Sequence, residues 1–297
     1  MVMPRSLLIS AVVLLTLSGS AIPQSDVDLY KKLLPLHEVK KSPQPYDWLA
    51  THYEPGQTYE DFIDSRPQRP HPATQFIYIS LLGEFNQEQR EIIGKVARFL
   101  ELYYQIPVRF ADNVPLSIIP SKARREQPIT HEQQILTSYI IEEVLLPRKP
   151  KDAFCYIAFS SADLWPGAGW NFVFGQASLD DRVGVWSIFR NGDPRVDAEN
   201  YHLCLRRTIS TGVHEVGHMF GLHHCIYYEC TMNGSNHRME SDARPLWLCP
   251  VCLRKLNSIL NFDPLERYKN LATICNELGL QEEAQFYSRS WKLLESN

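Results

Sequence analysis

The sequence lacks several features that would place it in common classes of protein. It has no excess of positive charge: the net charge is −4 over 297 residues, which argues against a nucleic-acid partner, since such a partner requires a basic face. The apolar run near the start, residues 7–17, is too short to span a membrane. No cysteine precedes Cys155. With 44% hydrophobic residues, the chain is expected to be globular, and its cysteines are concentrated in its second half.

The first 21 residues have the pattern of a secretory signal peptide. Arg5 precedes the apolar run, and the small residues at 18–21 are suited to cleavage. We therefore expect an exported protein (secreted, periplasmic or lumenal) with no stable membrane anchor after cleavage. A buried amino-terminal helix in a cytoplasmic protein is the alternative.

A cluster of histidines indicates a metal site. Residues 214–224 read H-E-V-G-H-M-F-G-L-H-H. Residues four apart on a helix face the same side, so His214 and His218 can bind one metal ion. Glu215 projects from the same turn toward an open coordination position. The alternative is that these are polar residues of an ordinary amphipathic helix, but few sequences contain the whole pattern.

The chain after the helix is expected to supply a third ligand. Gly221 can adopt a positive φ, which ends the helix and reverses the chain. His223 and His224 are the rival candidates. The motif resembles that of the metzincins, whose spacing implies His224 as the ligand and leaves His223 as a surface residue or one that contacts a ligand. Three protein ligands and one open position are typical of catalytic zinc.

Four cysteines follow directly and indicate a second metal site. Cys225 and Cys230 form one pair, and Cys249 and Cys252 form a second pair with the C-x-x-C spacing of a zinc knuckle. Four thiolates would saturate zinc and exclude water, so this site is expected to be structural. Two disulfides or four free thiols are the alternatives.

The combined pattern resembles the archaemetzincin (archaelysin-type) family of zinc metallopeptidases in the metzincin clan. That family joins the histidine motif to C-x4-C-x-M and, some seventeen residues later, to C-x-x-C; here the interval from Met232 to Cys249 holds sixteen residues. The likeness is sharp over about forty residues and looser over residues 75–256. It implies two zinc ions per chain: a catalytic one on His214, His218 and His224, with Glu215 as general base, and a structural one on Cys225, Cys230, Cys249 and Cys252.

Met232 is the candidate for the methionine turn that lies beneath the zinc in metzincins. Asn233 and Gly234 follow it, and both favour turns. The alternative is a methionine that fills a gap in the core. No tyrosine stands two residues after Met232, so a fifth ligand of the astacin kind is not indicated.

The pattern along the chain predicts an α/β (α+β) fold: a metzincin-like zincin with a mixed twisted sheet, an active-site helix, a four-cysteine zinc subsite and a carboxy-terminal helical hairpin. The expected domains are a signal peptide (1–21), an irregular leader (22–74), the catalytic domain with the second zinc site (75–260) and the hairpin (261–297). Strands are expected at 75–82, 108–111, 154–159, 172–177 and 183–189, and helices at 86–104, 131–146, 253–260, from 263, and 281–294. Residues 121–127 are expected to form a loop. Residues 171–177 are the candidate for the strand at the cleft rim, and a plain structural hairpin is the alternative.

The expected function is hydrolysis of peptide bonds in a peptide or protein substrate, by a monomer. Zinc would make a bound water reactive at neutral pH, and Glu215 would take its proton and return it to the leaving amine. One alternative is a catalytically silent zinc-binding protein that acts as an interaction module, although such a module needs no base. The other is a zinc-ribbon interaction protein in which the histidines are incidental.

Overall fold

The structure is a computed structural model that describes residues 24–296. The predicted signal peptide, residues 1–21, lies outside the described residues, so export stays a prediction. Within the described part of the chain, no helix is both long enough and apolar enough to cross a membrane.

Strands and helices alternate through the first two thirds of the described chain, and helices follow. The strands are β1 (Phe76–Leu82), β2 (Val108–Phe110), β3 (Arg124–Glu126), β4 (Gln133–Leu136), β5 (Ala153–Ser160), β6 (Asp163–Trp165), β7 (Gly175–Ser178) and β8 (Val183–Ser187). The helices are α1 (Gln24–Leu33), α2 (Trp48–Thr51), α3 (Tyr59–Asp64), α4 (Gln87–Tyr104), α5 (Thr137–Tyr139), α6 (Ala198–Met219), α7 (Arg238–Ala243), α8 (Pro250–Leu260), α9 (Pro264–Glu277) and α10 (Gln281–Glu295). A π-helical turn, Ile140–Leu145, continues α5.

The main sheet has five strands in the order β2-β1-β5-β8-β7. Neighbouring strands from β2 to β8 are parallel, and the edge strand β7 is antiparallel to β8. The predicted mixed α/β sheet is therefore confirmed. A smaller sheet, β3-β4-β6, lies beside it.

Apolar side chains cover both faces of the main sheet. On one face, Ile77 and Ile79 join a large core with residues of α4, α6 and the carboxy-terminal helices. On the other face, Leu82 and Tyr156 join a smaller core with the π-helical turn. Burial on both faces explains why β5 is apolar along most of its length rather than alternating.

Helix α6 carries the histidine motif and is anchored at both ends. The Asp197 carboxylate accepts a hydrogen bond from the Asn200 backbone N–H (2.8 Å), which caps the first turn. Apolar residues on one side, including Ile209 and Val213, are fully buried, and the helix packs on α4. The helix ends at Met219, and Gly221 has φ of +85° as predicted.

The helix predicted over residues 131–146 is wrong in its first part. Residues Gln133–Leu136 form β4, which pairs antiparallel with β3 and parallel with β6. The predicted loop over residues 121–127 correspondingly contains β3. Both differences have one cause: strand partners distant in the chain decide the conformation, and local periodicity does not reveal them.

The other predicted elements are present with shifted ends: the strand expected over residues 172–177 is β7, which begins at Gly175, and α8 begins at Pro250 rather than residue 253. The sequence pattern does not predict α2, α3, β6 or α7, each of which is three to six residues long. Helices α9 and α10 pack against each other and form the predicted hairpin. The amino-terminal segment packs against the carboxy-terminal helices: α1 contacts α8 and α10, and α3 contacts α8.

Candidate metal centre

Three imidazoles converge at the carboxy-terminal end of α6. Each of His214, His218 and His224 offers a ring nitrogen, and these three nitrogens lie within 4.8 Å of one another. The Nε2 atoms of His214 and His218 are 3.1 Å apart. This spacing brings the donor atoms of three side chains to one point, which is what a single bound ion requires.

Backbone carbonyl groups orient the two helical imidazoles. Nδ1 of His214 lies 2.8 Å from the carbonyl oxygen of Thr231, and Nδ1 of His218 lies 2.6 Å from that of Leu222. A carbonyl oxygen can only accept, so each Nδ1 carries the proton and donates it. The lone pair on each Nε2 is thereby left for a metal.

The third imidazole is oriented by a carboxylate from the amino-terminal segment. Nδ1 of His224 lies 2.7 Å from Oε1 of Glu54, and this oxygen also accepts a hydrogen bond from Nε1 of Trp48 (2.8 Å). Burial opposes ionisation of Glu54, but the hydrogen bonds from His224 and Trp48 outweigh it and hold its pKa below the ordinary value. The His223 side chain is exposed, as expected.

The three imidazoles are held neutral. Burial lowers the pKa of His214 well below its usual range, lowers that of His218 to about 3, and lowers that of His224. Neutral imidazole is the form that binds metal. Three neutral, convergent nitrogen donors, each with its other nitrogen hydrogen-bonded, fit a zinc ion.

Two charged side chains, half-buried Glu215 and buried Arg244, lie next to the histidines. Burial raises the pKa of Glu215 to about 7, and the Arg244 charge opposes this rise. Arg244 is 6% exposed; its Nη1 donates to the carbonyl of Asn233 (3.0 Å), and its Nη2 donates to Oγ of Ser210 (3.2 Å). Nη1 also lies 2.9 Å from Nδ1 of His214. Arginine only donates, so this contact would need the opposite histidine tautomer, and we assign the arginine bond to the Asn233 carbonyl instead.

The four cysteines form a second, fully enclosed group. The sulfur atoms of Cys225, Cys230, Cys249 and Cys252 lie within 4.8 Å of one another, and all four residues are buried. The Cys225 and Cys249 sulfurs are 3.7 Å apart, well beyond disulfide length, and all seven cysteines are free. Backbone N–H groups of Cys249 and Cys252 approach the sulfurs of Cys230 (3.3 Å) and Cys249 (3.5 Å). This tetrad of thiols has the donor set of a structural zinc site.

Met232 lies in a tight turn directly beneath the motif helix. The Asn233 N–H donates to the carbonyl of Cys230 (3.0 Å), which closes a turn over Thr231 and Met232. The Met232 side chain is fully buried, and its sulfur lies against Gly217 of α6. The Met232 carbonyl accepts from the N–H of Cys225 (2.8 Å), so the same turn contacts both candidate metal groups.

A third group of possible ligands is already saturated by hydrogen bonds. Asp47, His237 and Glu240 lie within 4.8 Å of one another. Nε2 of His237 bonds Asp47 (3.0 Å), and its Nδ1 accepts from the Glu240 N–H (3.2 Å). The Glu240 carboxylate accepts from the N–H groups of Trp48 (3.0 Å) and Asn236 (2.7 Å). This group attaches the amino-terminal segment to α7, and we do not assign it a metal.

Known proteins resemble this chain over most of its length. The sequence model of Peptidase family M54 matches residues 153–258. Archaemetzincin-2 of Pongo abelii is 37% identical over 258 residues, which are 76% of this chain and 71% of that protein. Archaemetzincin-2 of Homo sapiens is 36% identical with the same coverage. The crystal structure of archaemetzincin from Methanopyrus kandleri, 26% identical, matches with a TM-score of 0.51 and covers 65% of this chain and 99% of that one.

Fold, site and similarity together define a zinc metallopeptidase. More narrowly, the chain belongs to the archaemetzincin family.

Two side chains that contact this centre have no signal in the sequence. Glu54 lies in an irregular segment, 170 residues before the histidine it contacts. Arg244 lies in the polar loop between the cysteine pairs, where its charge suggests a surface position, yet it is buried. Nothing in the sequence singles out either residue as part of a metal centre.

Proposed function

We propose that this chain hydrolyses peptide bonds in peptide or protein substrates, with Glu215 as the general base. The observation that carries the proposal is the convergence of three neutral imidazoles beside Glu215, a half-buried carboxyl group on the helix that carries two of them. His214, His218 and His224 would hold a zinc ion, which when bound supplies a Lewis acid that activates water and polarises a carbonyl group.

Glu215 suits the role of a base that works near neutral pH. Burial raises its pKa to about 7, close to the value at which a carboxyl group can both accept and release a proton. The carboxylate accepts the proton of the attacking water and then delivers it to the leaving amine. The positive charge of Arg244 opposes the rise in pKa and so favours the ionised form of Glu215, which can accept a proton.

A second zinc ion, held by the four cysteines, completes the proposal. Cys225 directly follows His224, and Cys249 caps α8 by accepting from the Cys252 N–H. A metal at this tetrad would join the segment that carries the third imidazole to the start of α8. Its role would be structural, because four sulfur donors leave no open position.

The decisive experiment compares Glu215→Gln with the unchanged protein in a peptide-library cleavage assay. The variant should keep the zinc content of the parent and lose at least about 100-fold in kcat/KM, the range general bases contribute. A chelator should abolish cleavage by the parent. Glu199→Gln is the matched control: the same change on an exposed residue of α6, expected to leave cleavage unchanged.

The alternative is a catalytically silent zinc protein that acts as an interaction module. A carboxyl group with a raised pKa beside the three imidazoles disfavours this alternative, since binding alone needs no base. Full zinc loading without cleavage of any peptide, or a Glu215→Gln variant as active as the parent, would refute the mechanism and favour the alternative.

Export, which is supported by the sequence pattern of the first 21 residues alone, and a monomeric state are further parts of the proposal. Mass spectrometry of the protein recovered from its source organism should find a mature chain that begins near residue 22. Recovery of the intact first residues would favour the cytoplasmic alternative. Size-exclusion chromatography with light scattering should give the mass of one chain.

A further inference from the structure

The third imidazole is positioned differently from the other two. His214 and His218 are carried by a regular helix, and backbone carbonyls of nearby residues accept from their Nδ1 atoms. His224 follows the end of α6 in an irregular segment. The partner of its Nδ1 is a side chain, the Glu54 carboxylate, at 2.7 Å.

This partner is itself held in place by Trp48. The indole Nε1 donates to the same Glu54 oxygen (2.8 Å), and the indole and His224 rings form a T-shaped contact with centroids 5.0 Å apart. The indole also stacks on His52 at 3.8 Å. Gly234 lies so close that an added Cβ would come within 2.5 Å of the indole ring. The indole therefore has little freedom to move, and Glu54 has a fixed neighbour.

Gln57, three residues further on, holds the backbone around the third imidazole. Its Nε2 donates to the carbonyl of Gly221 (3.1 Å), and its Oε1 accepts from the N–H of His223 (3.2 Å). The buried Lys255 ammonium group donates to both the carbonyl and the side-chain oxygen of Gln57. Residues 48–57, which we call the clamp segment, thus contact the ring of His224 and the chain just before it.

We infer that Glu54 is a positioning residue of the metal centre, supplied by the amino-terminal segment. Its carboxylate fixes the proton of His224 on Nδ1, orients the ring and increases the electron density at Nε2, where the metal binds. A carboxylate accepts more strongly than a neutral carbonyl, which compensates for the lack of a helix beneath His224. The clamp segment is accordingly part of the catalytic centre and not a removable leader. This inference rests on the proposed role of His224 as a zinc ligand.

The test measures zinc affinity directly, without peptide cleavage. Glu54→Gln keeps the size of the side chain but replaces the charged acceptor by a neutral one. We expect the affinity of the histidine site to fall about 10- to 100-fold, the usual effect of losing such a partner, as measured by competition with a chromogenic chelator. Glu54→Ala should lose at least as much. The zinc held by the four cysteines should keep its affinity, because Glu54 does not contact it.

Two further variants separate positioning from folding. Trp48→Phe removes the donor to Glu54 but leaves the bond to His224, so we expect a smaller loss of affinity than in Glu54→Gln. Glu60→Gln changes an exposed carboxylate of α3 and should change nothing. In the cobalt-substituted protein, the ligand-field absorption of the histidine site should shift in Glu54→Gln, whereas the thiolate-to-cobalt bands should not.

The outcomes distinguish this inference from the proposed function. If Glu54→Gln binds both zinc ions as tightly as the parent and its cobalt spectrum is unchanged, Glu54 does not position His224. If His224→Ala retains the affinity of the histidine site, the proposed ligand set itself is wrong. An unaffected affinity in Glu54→Gln together with a lost site in His224→Ala overturns only the role of Glu54.

Discussion

Gly217 and Met232 lie so close together that no side chain would fit between them. A Cβ atom on Gly217 would lie 2.5 Å from Sδ of Met232 and 3.1 Å from its Cε. Gly217 is the residue just before His218, so the methionine turn supports the helix at the level of the metal ligands. The glycine in the motif is there because this turn approaches the helix backbone.

Gly217→Ala should therefore destabilise the protein. The Met232 side chain has no free space, being fully buried, and overpacking of a core usually costs about 1–3 kcal/mol. Urea unfolding of the zinc-loaded protein measures the change. Gly212→Ala is the matched control on the same helix, because its nearest contact would be an ordinary 3.6 Å. The control should gain up to about 1 kcal/mol from helix propensity, and equal effects in the two variants would contradict this account.

His218→Ala should remove one zinc equivalent and leave the other. With only two imidazoles left, the histidine site should bind zinc weakly. The four-cysteine site does not include His218 and should keep its ion. The zinc content, measured by metal analysis after gel filtration, should fall from two ions per chain to one, and cleavage should be lost. A variant that keeps both ions would show that the histidines do not share one metal.

Cys249→Ser should remove the other zinc ion and weaken the fold. A site loaded at about 1,000 times its Kd contributes about 4 kcal/mol to the free energy of unfolding, and this contribution would be lost. Cys275→Ser replaces a buried thiol outside the tetrad and should keep both zinc ions. Loss of zinc in both variants to the same extent would mean that the loss reflects general unfolding.

Asp163→Ala should be strongly destabilising. The Asp163 side chain is 0% exposed and bonds Arg190 through both oxygens (2.8 and 2.6 Å), and Gln134 as well (2.8 Å). Removal leaves the Arg190 guanidinium, 23% exposed, without its partner, which costs about 3 kcal/mol for a largely buried pair. Chemical denaturation measures the loss.

Asp193→Ala supplies the comparison for that prediction. Asp193 also bonds an arginine through both oxygens, Arg195, but both side chains are exposed. Solvent screens such a pair, so the denaturation midpoint should stay within experimental error of the parent. Similar losses in Asp163→Ala and Asp193→Ala would show that burial does not control the strength of these pairs.

The sequence identifies elements well where neighbouring residues decide the conformation. Long periodic or continuously apolar patterns mark the motif helix, helices α8 to α10 and the buried parallel strands β1 and β5. The short helix α7 has no such pattern and is not predicted. Prediction is wrong at β4, because Gln133–Leu136 become a strand only by pairing with β3 and β6. The same limit explains why the edge strand β7 begins at Gly175, later than expected.

The sequence by itself determined the two groups of candidate ligands. Histidines four residues apart on a helix meet on one face, and a glycine with positive φ reverses the chain. The C-x-x-C spacing brings two thiols together. Each of these relationships depends on local geometry. The tertiary structure alone decided which groups surround those ligands. Glu54 meets His224 across 170 residues, and Arg244 is buried beside Glu215, because packing of separate segments brought them there. Such contacts leave no periodic trace in the chain, so only the folded structure reveals them.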